Sequence, residues 1–215
     1  IDGEGEGVIS AVDMLREIGE GRPPEIRGRR VAVVGGGNVA IDAARSAVRL
    51  GAAEVSIVYR RRKADMPAMT EEIEGAVAEG CEIYELVSPS SIVREQGQIT
   101  ALRVRPQIVG PIRNGRPSPI EADQPDELIG CDLVISAIGQ TVEAGEFDLP
   151  VKWGTFTAMS SSGFENQPGV YAGGDCVSGP ATVVKAIAAG KVAAANIDQY
   201  LGFHHVIAPE IDIPR

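Results

Sequence analysis

The chain has 215 residues, of which 44% are hydrophobic and 23% charged, a composition typical of a globular protein. Its net charge of −10 argues against a general nucleic-acid or anionic-membrane surface, and no apolar run has the length of a membrane span. The three cysteines lie far apart without a Cys-x-x-Cys pair, so we expect reduced thiols in a cytoplasmic protein, with no metal or iron–sulfur site.

The first 27 residues contain one periodic stretch. Apolar residues recur at helical spacing from Val8 to Ile18, which predicts a helix, and a loop containing Pro23 and Pro24 follows. The chain starts at Ile1 rather than at a methionine. We therefore expect a piece of a longer protein.

Residues 31–63 form the most informative stretch and predict a strand, a tight turn, a helix and a second strand. Residues 31–34 are a short β-branched run, typical of a strand buried on both faces. A helix is predicted over residues 38–50, and the second strand over residues 54–59. This is the context in which a Gly-rich turn binds a dinucleotide.

The small residues of the turn have separate predicted tasks. Gly35 permits the sharp exit from the strand, Gly37 lets the backbone approach a pyrophosphate, and Ala40 allows close packing of helix and strand. Backbone N–H groups around Asn38 and Val39, at the helix start, would bind the phosphates. The alternative is a Gly-rich turn in an α/β protein that binds no nucleotide.

The end of the second strand indicates which nucleotide binds. An NAD site usually has an acid there, but the strand ends at Tyr59 and is followed by Arg60 and Arg61, whereas Glu54 lies at its opposite end. Guanidinium groups suit a 2′-phosphate, so the sequence favours NADP(H) over NAD(H). The alternative is a solvated basic run.

The next segment predicts one helix and one strand. The helix covers residues 70–80, with Thr70 as its cap, and the strand covers residues 81–87. Further on, the sequence alternates over residues 91–95 and 99–105, which indicates a hairpin.

A second turn signal at Asn114-Gly115 makes a three-stranded meander plausible. Residues 123–127 are a predicted loop. Residues 131–139 then predict a buried strand that ends in small residues, including Gly139, where ligands approach an open α/β sheet.

The second informative stretch covers residues 169–201. It predicts a short strand at residues 170–172, the loop Gly173-Gly174-Asp175, and a long helix with Pro180 as its first residue. The Asp175 carboxylate can accept hydrogen bonds from ligand hydroxyls. An ordinary strand, loop and helix without a ligand is the alternative.

Four motifs occur in a specific order and spacing: GGGNVAIDAAR, VYRRRKADMPA, SAIGQT and VYAGGDCVSGPATVVKAIAAGK. Together they resemble the small (beta) chain of NADPH-dependent glutamate synthase and the wider family of NADPH:FAD electron-transfer modules. The resemblance spans about residues 28–201.

The resemblance implies two cofactor sites. The first motif would bind the NADP pyrophosphate and the two arginines its 2′-phosphate, while Asp175 would bind the FAD ribityl chain and backbone at residues 181–183 would approach the flavin ring. The expected NADP residues are Gly35, Gly37, Asn38, Val39, Ala40, Arg60, Arg61 and Gly139. The expected FAD residues are Gly174, Asp175, Ala181, Thr182 and Val183.

The predicted fold is α/β, with a Rossmann-like NAD(P)-binding domain of parallel sheet, helices and β-meander, followed by the C-terminal part of an FAD-type nucleotide-binding domain. We expect residues 1–27 to form a helix and linker of the FAD domain, residues 28–145 the NADP domain, residues 146–203 the FAD part, and residues 204–215 a tail. Family members carry a further Gly-rich turn for FAD and a cysteine-rich segment. This chain has neither, so its FAD site is expected to be incomplete.

The activity implied is hydride transfer from NADPH to FAD, with electrons passed on to a partner subunit or an iron–sulfur protein. We predict no catalytic side chain, because the cofactors carry the chemistry. The alternatives are a non-catalytic nucleotide-binding scaffold, a disulfide reductase of the same superfamily, and an NAD-dependent dehydrogenase.

Overall fold

The computed structural model describes residues 5–113, 115–145 and 147–206. These residues divide into two units, one ending at Ile138 and the other starting at Gly139. The predicted boundary lay a few residues later, after residue 145. Each unit is described by itself.

The first unit alternates strands and helices and then becomes a run of strands. Its elements are β1 (Val8–Ser10), α1 (Ala11–Gly19), β2 (Arg30–Val34), α2 (Asn38–Arg49), β3 (Glu54–Tyr59), α3 (Thr70–Ala78), β4 (Glu82–Glu85), β5 (Val87–Glu95), β6 (Gln98–Arg113), β7 (Arg116–Glu121), β8 (Glu127–Gly130) and β9 (Leu133–Ser136), with a 3₁₀ turn at Lys63–Asp65.

A parallel sheet of five described strands, in the order β1-β9-β2-β3-β4, forms the centre of this unit. The predicted strand–turn–helix–strand core is confirmed, and β3 has the predicted bounds. The chain runs outward from β2 through β3 to β4, while β9 and β1 lie on the other side of β2. The strand order therefore reverses between β2 and β9, which is where open α/β sheets bind ligands.

Both faces of the sheet are covered, which explains the continuous apolar runs of its strands. Val31 and Val33 pack in one cluster with residues of α1, α2 and α3. Ala32 and Val34 pack in a second cluster with Leu102 and other residues of the antiparallel strands. Alternate side chains of β2 thus point into two different cores.

The N-terminal segment differs from its prediction. The predicted helix from Val8 is instead the strand β1, and helix α1 begins only at Ala11, where the Ser10 hydroxyl accepts the N–H of Asp13 at 3.4 Å. Val8 is opposite Val134 in a parallel pairing with β9. Because this pairing satisfies the backbone of residues 8–10, they belong to the first unit. The sequence prediction places residues 1–27 in the FAD domain instead.

The antiparallel strands confirm the predicted hairpin and meander. The hairpin of β5 and β6 turns at Gln96 and Gly97, whose φ angles are 50° and 85°. The distal part of β6 pairs with β7; of the turn predicted there, Asn114 lies outside the described residues. Strand β8 was not predicted: it pairs with the first half of β6 and includes Glu127, the last residue of the predicted loop.

The helix and strand that follow the basic run are confirmed with corrected ends. Thr70 is the first residue of α3 rather than its cap; Met69 holds the cap position and makes no side-chain capping bond. The predicted strand over residues 81–87 ends at Glu85. Leu86 has a φ of 54°, which turns the chain out of the parallel sheet and into β5.

The second unit contains short strands followed by helices. Its elements are β10 (Val151–Lys152), β11 (Thr155–Phe156), β12 (Gly163–Phe164), β13 (Gln167–Tyr171), α4 (Asp175–Ser178) and α5 (Val183–Tyr200). The predicted start of the long helix at Pro180 is wrong. Helix α5 starts at Val183 because Thr182, in an extended conformation, accepts the N–H of Lys185 with its hydroxyl at 3.4 Å.

Helix α5 packs on β13 through few contacts. The Tyr171 hydroxyl donates to the Asn196 carbonyl at 3.3 Å, and the Tyr171 and Tyr200 rings meet edge to face. No residue of α5, which is described throughout, is buried, and Val183 is 76% exposed.

Among the described residues, no helix is both long and apolar enough to cross a membrane.

Candidate nucleotide-binding site

Gly35 directly follows β2 at the point where the strand order reverses. Its φ is 147°, and a Cβ built on it would lie 2.5 Å from the carbonyl oxygen of Ala137, just beyond the end of β9. Backbone strain and a clash with a neighbouring backbone both exclude other residues here. The structure thereby brings the Gly-rich turn and the small residues after β9 together.

Gly37 differs from Gly35 because the protein itself does not require glycine there. Its φ and ψ are −88° and 175°, which other residues adopt, and a Cβ would approach only Pro67, at 4.0 Å. Gly37 is the cap residue of α2 and provides no side-chain capping bond. The N–H groups of the first helical turn, at Asn38 and Val39, have no partner within the helix.

Ala40 is fully buried in the first turn of α2, within the core cluster that contains Val31 and Val33. A larger side chain would push the helix start away from the sheet. The turn therefore has the geometry that a pyrophosphate needs: open backbone, N–H groups at a helix start, and close helix–strand packing.

The basic run leaves the carboxyl end of β3, which is the same edge of the sheet as the Gly-rich turn. Arg60 is exposed. The Nε of Arg61 donates to the carbonyl of Pro117 in β7 at 2.6 Å, which orients the guanidinium plane. Arg62 makes two hydrogen bonds to Asp65, at 2.8 and 3.0 Å, and thereby holds the pKa of that carboxyl below its ordinary range.

Several contacts that were not predicted from the sequence connect the turn to this basic loop. A Cβ on Gly36 would lie 2.5 Å from the ring of Tyr59, and the Tyr59 hydroxyl donates to the carbonyl of Asp65 at 2.9 Å. The N–H of Ala68 donates to the Gly36 carbonyl at 3.3 Å. The only sequence signal for these contacts was a third glycine beyond the two that the turn pattern requires.

The side chain of Asn38 makes a contact that was not predicted. Its side-chain oxygen accepts the N–H of Met69 at 3.0 Å, which connects the first residue of α2 to the cap position of α3. The side chain is thus used within the protein, while the backbone N–H lies at the helix start. Val39, beside it, is 40% exposed.

The predicted flavin residues lie in the second unit. Gly174 has a φ of 78° and precedes Asp175, the exposed first residue of the short helix α4. Ala181, Thr182 and Val183 are exposed at the start of α5. Gly139, which was predicted for NADP and not for FAD, is the first residue of this unit and has a φ of 105°. These residues fit a polar ligand beside a helix start, but their side chains are not enclosed by the described residues of the unit.

The cysteines are packing residues in the first unit. Cys81 and Cys131 are free and lie in different core clusters, and burial raises the pKa of both thiols to about 11. Both are therefore protonated thiols at neutral pH and poor nucleophiles. Cys176, in the second unit, is free and half-buried.

Residues 1–190 match the family described as pyridine nucleotide-disulphide oxidoreductase. The chain belongs to this family. The α/β fold predicted from the sequence is thereby confirmed, as is the resemblance to glutamate synthase small chains, through the relatives described next.

Curated relatives of this oxidoreductase chain are considerably longer. It is 43% identical to the NADP(+)-dependent formate dehydrogenase subunit beta of Moorella thermoacetica, over 94% of this chain and 29% of that protein. It is 36% identical to the putative glutamate synthase (NADPH) small chain of Cereibacter sphaeroides, over 85% of this chain and 46% of that protein. The chain thus spans less than half the length of either relative.

Solved structures share the fold at low identity. FprA of Mycobacterium tuberculosis, in complex with NADPH, aligns with a TM-score of 0.74 and 21% identity, over 94% of this chain and 60% of that one. Thioredoxin reductase of T. acidophilum aligns with a TM-score of 0.70 and 19% identity, over 94% and 60%.

Proposed function

We propose that this chain is the NADPH-binding part, with a portion of the FAD-binding part, of an oxidoreductase that transfers a hydride from NADPH to FAD and passes the electrons to a partner. One observation carries the proposal: an open Gly-rich turn lies where the strand order reverses, with two arginines leaving the next strand at the same edge. An NADP nucleotide needs both features.

The proposed site residues of the first unit bind the nucleotide and take no part in the chemistry. The backbone around Gly37 and the N–H groups at the start of α2 bind the pyrophosphate, and Arg60 and Arg61 bind the 2′-phosphate. Nε of Arg61 already donates to the Pro117 carbonyl, so the two terminal nitrogens of Arg61 are oriented before the nucleotide arrives. This lowers the ordering cost of binding.

The second unit contributes the flavin contacts of the proposal. We assign Asp175 to the hydroxyls of the FAD ribityl chain, and the backbone of residues 181–183, with Gly174, to the flavin. We assign Gly139 to NADP(H). When bound, the two cofactors supply the hydride donor and acceptor, so the chain needs no acid or base of its own.

The proposed partner is an electron-accepting subunit or an iron–sulfur protein. Relatives that share this module are named as subunits of larger enzymes: a formate dehydrogenase subunit beta, an NADPH-Fe(3+) oxidoreductase subunit beta and glutamate synthase small chains. A cytoplasmic location stays a prediction.

Disulfide reduction is the weaker candidate despite the family's name. It needs a reactive pair of cysteines, and the buried thiols of Cys81 and Cys131 lie in separate cores. A non-catalytic nucleotide-binding scaffold would bind NADPH equally well. The assembled protein distinguishes it, because only an oxidoreductase bleaches its flavin absorbance when NADPH is added.

The test of nucleotide choice is a double variant, Arg60→Ala with Arg61→Ala. NADPH binding should weaken by about 2–4 kcal/mol, because two charged hydrogen-bond donors to a phosphate are lost, while NADH binding changes little. Titration calorimetry with both nucleotides measures this. The matched control is Arg27→Ala with Arg29→Ala, which removes the same charge from exposed residues before β2, at the opposite edge of the sheet.

Two outcomes would contradict the proposal. Equal losses for NADPH and NADH would show that the arginines do not contact the 2′-phosphate. A comparable NADPH loss in the control double variant would show that only net charge matters.

A further inference from the structure

Tyr59 contacts both halves of the proposed NADPH site without being part of either. It is the last residue of β3 and is 6% exposed. Its ring packs against Gly36, in the Gly-rich turn, and its hydroxyl donates to the Asp65 carbonyl, beyond the basic run. One side chain therefore connects the pyrophosphate turn with the loop that carries the arginines.

The Tyr59 hydroxyl also closes that loop. The chain leaves the sheet at Tyr59, and its own side chain binds the backbone six residues later, so Arg60 and Arg61 lie in a loop with joined ends. The Arg62–Asp65 ion pair closes the same loop a second time.

The exit of the loop is fixed to the Gly-rich turn as well. Residues 65–69 run back over the turn, where the N–H of Ala68 binds the Gly36 carbonyl and the N–H of Met69 binds the Asn38 side chain. Turn, loop and exit thus form one hydrogen-bonded unit in which the distance from turn to arginines is set by the protein.

We propose that Tyr59 is a positioning residue for nucleotide specificity: it holds the arginine loop at the distance from the Gly-rich turn that lets one NADPH reach both. The inference rests on the proposed function. The pyrophosphate and the 2′-phosphate belong to the same molecule, so a fixed spacing allows both contacts without further ordering. NADH uses only the turn and gains nothing from the position of the arginines.

The test is Tyr59→Phe, which keeps the ring against Gly36 and removes only the hydroxyl. NADPH affinity should fall about three- to tenfold, the range expected for one lost hydrogen bond, whereas NADH affinity should stay within about twofold. The matched control is Tyr84→Phe, which removes a tyrosine hydroxyl that donates to Glu82 within β4. Calorimetric titrations give both affinities, and thermal unfolding shows that each variant is folded.

A second variant keeps the proposal testable if Tyr59→Phe unfolds. Asp65→Ala breaks the ion pair with Arg62 and removes a negative charge beside the arginines. The variant keeps the backbone carbonyl that the Tyr59 hydroxyl binds. If Tyr59 holds the loop, NADPH binding should therefore be unchanged or stronger, because a negative charge beside the arginines is lost. Weaker NADPH binding would show that the ion pair, and not Tyr59, holds the loop.

The outcomes separate the two proposals. If the wild type shows no preference for NADPH over NADH, the proposed function fails. If the preference is present and Tyr59→Phe leaves it unchanged, or lowers both affinities equally, the role assigned to Tyr59 is overturned.

Discussion

Replacing Gly37 by alanine separates what the fold requires from what a ligand requires. The φ and ψ of Gly37 suit alanine, and the added methyl would meet only Pro67, at 4.0 Å. A compatible Gly→Ala change stabilises by about 0.4–1 kcal/mol, and the poorer helix cap costs a similar amount. The free energy of unfolding should therefore change by less than about 1 kcal/mol.

Nucleotide binding should respond differently. If a pyrophosphate lies in van der Waals contact with Gly37, the methyl is overpacked against it at a cost of about 1–3 kcal/mol. That corresponds to about a 5- to 150-fold loss of affinity. NADPH and NADH should lose equally, because both carry the pyrophosphate. Urea unfolding and calorimetric titration measure the two effects.

Gly35→Ala is the matched comparison. An alanine Cβ at this position would lie 2.5 Å from the Ala137 carbonyl oxygen, and its backbone would have a strained φ. The free energy of unfolding should therefore fall by about 1–3 kcal/mol. Unchanged nucleotide affinity in a folded Gly37→Ala variant would refute the assignment of the turn to a pyrophosphate.

Two further predictions concern acid stability and the flavin. The Asp132 carboxylate accepts hydrogen bonds from the guanidinium and the backbone N–H of Arg30, which lowers the pKa of Asp132, so Asp132→Asn should be less stable than wild type at pH 7. The difference in the free energy of unfolding, measured with urea, should be fully present above the ordinary carboxyl pKa of about 3.9 and should shrink as the pH falls below it. An equal difference at pH 3 would contradict the assignment. The purified 215-residue chain should show no stoichiometric flavin band in its visible spectrum, because α5 has no buried residue beside the candidate flavin contacts; one tightly bound FAD per chain in a titration would contradict this.

The parts of the fold that could be predicted are those set by local pattern. Strands β2 and β3 are rich in apolar, β-branched residues, and the turn between β2 and α2 has glycines at the required spacing, so neighbouring residues determine the strands and the turn. The hairpin of β5 and β6 follows in the same way from alternation and from Gly97 in its turn.

The errors at residues 8–10 and at β8 share a physical cause, which is long-range pairing. Residues 8–10 have helical spacing, yet they form a strand because β9, more than 120 positions away in the sequence, offers an open edge. Strand β8 exists because β6 is long enough to pair with β5 and β8 in its first half and with β7 beyond it. No local pattern contains this information.

In the candidate site, too, the local features could be predicted from the sequence and the long-range contacts could not. Gly35, Gly37 and Ala40 were found because a turn has a fixed spacing, whereas the tasks of Gly36 and Tyr59 depend on a contact across two strands. The helix start near Pro180 was misplaced because Thr182, two residues later, competes for the cap through its hydroxyl.

The direction of β3 decides between the charged residues that compete for the nucleotide. Glu54 opens the strand and pairs in register with Arg30 at the amino edge of the sheet. At about 3.3 Å per residue, a six-residue strand places Glu54 about 17 Å from Tyr59, too far for its carboxylate to reach a ribose bound at the Gly-rich turn. Arg60 and Arg61 follow Tyr59 directly, at the edge where the turn lies. A parallel sheet has a polarity, so a nucleotide at the Gly-rich turn would lie near the residues that follow β3, and these are cationic.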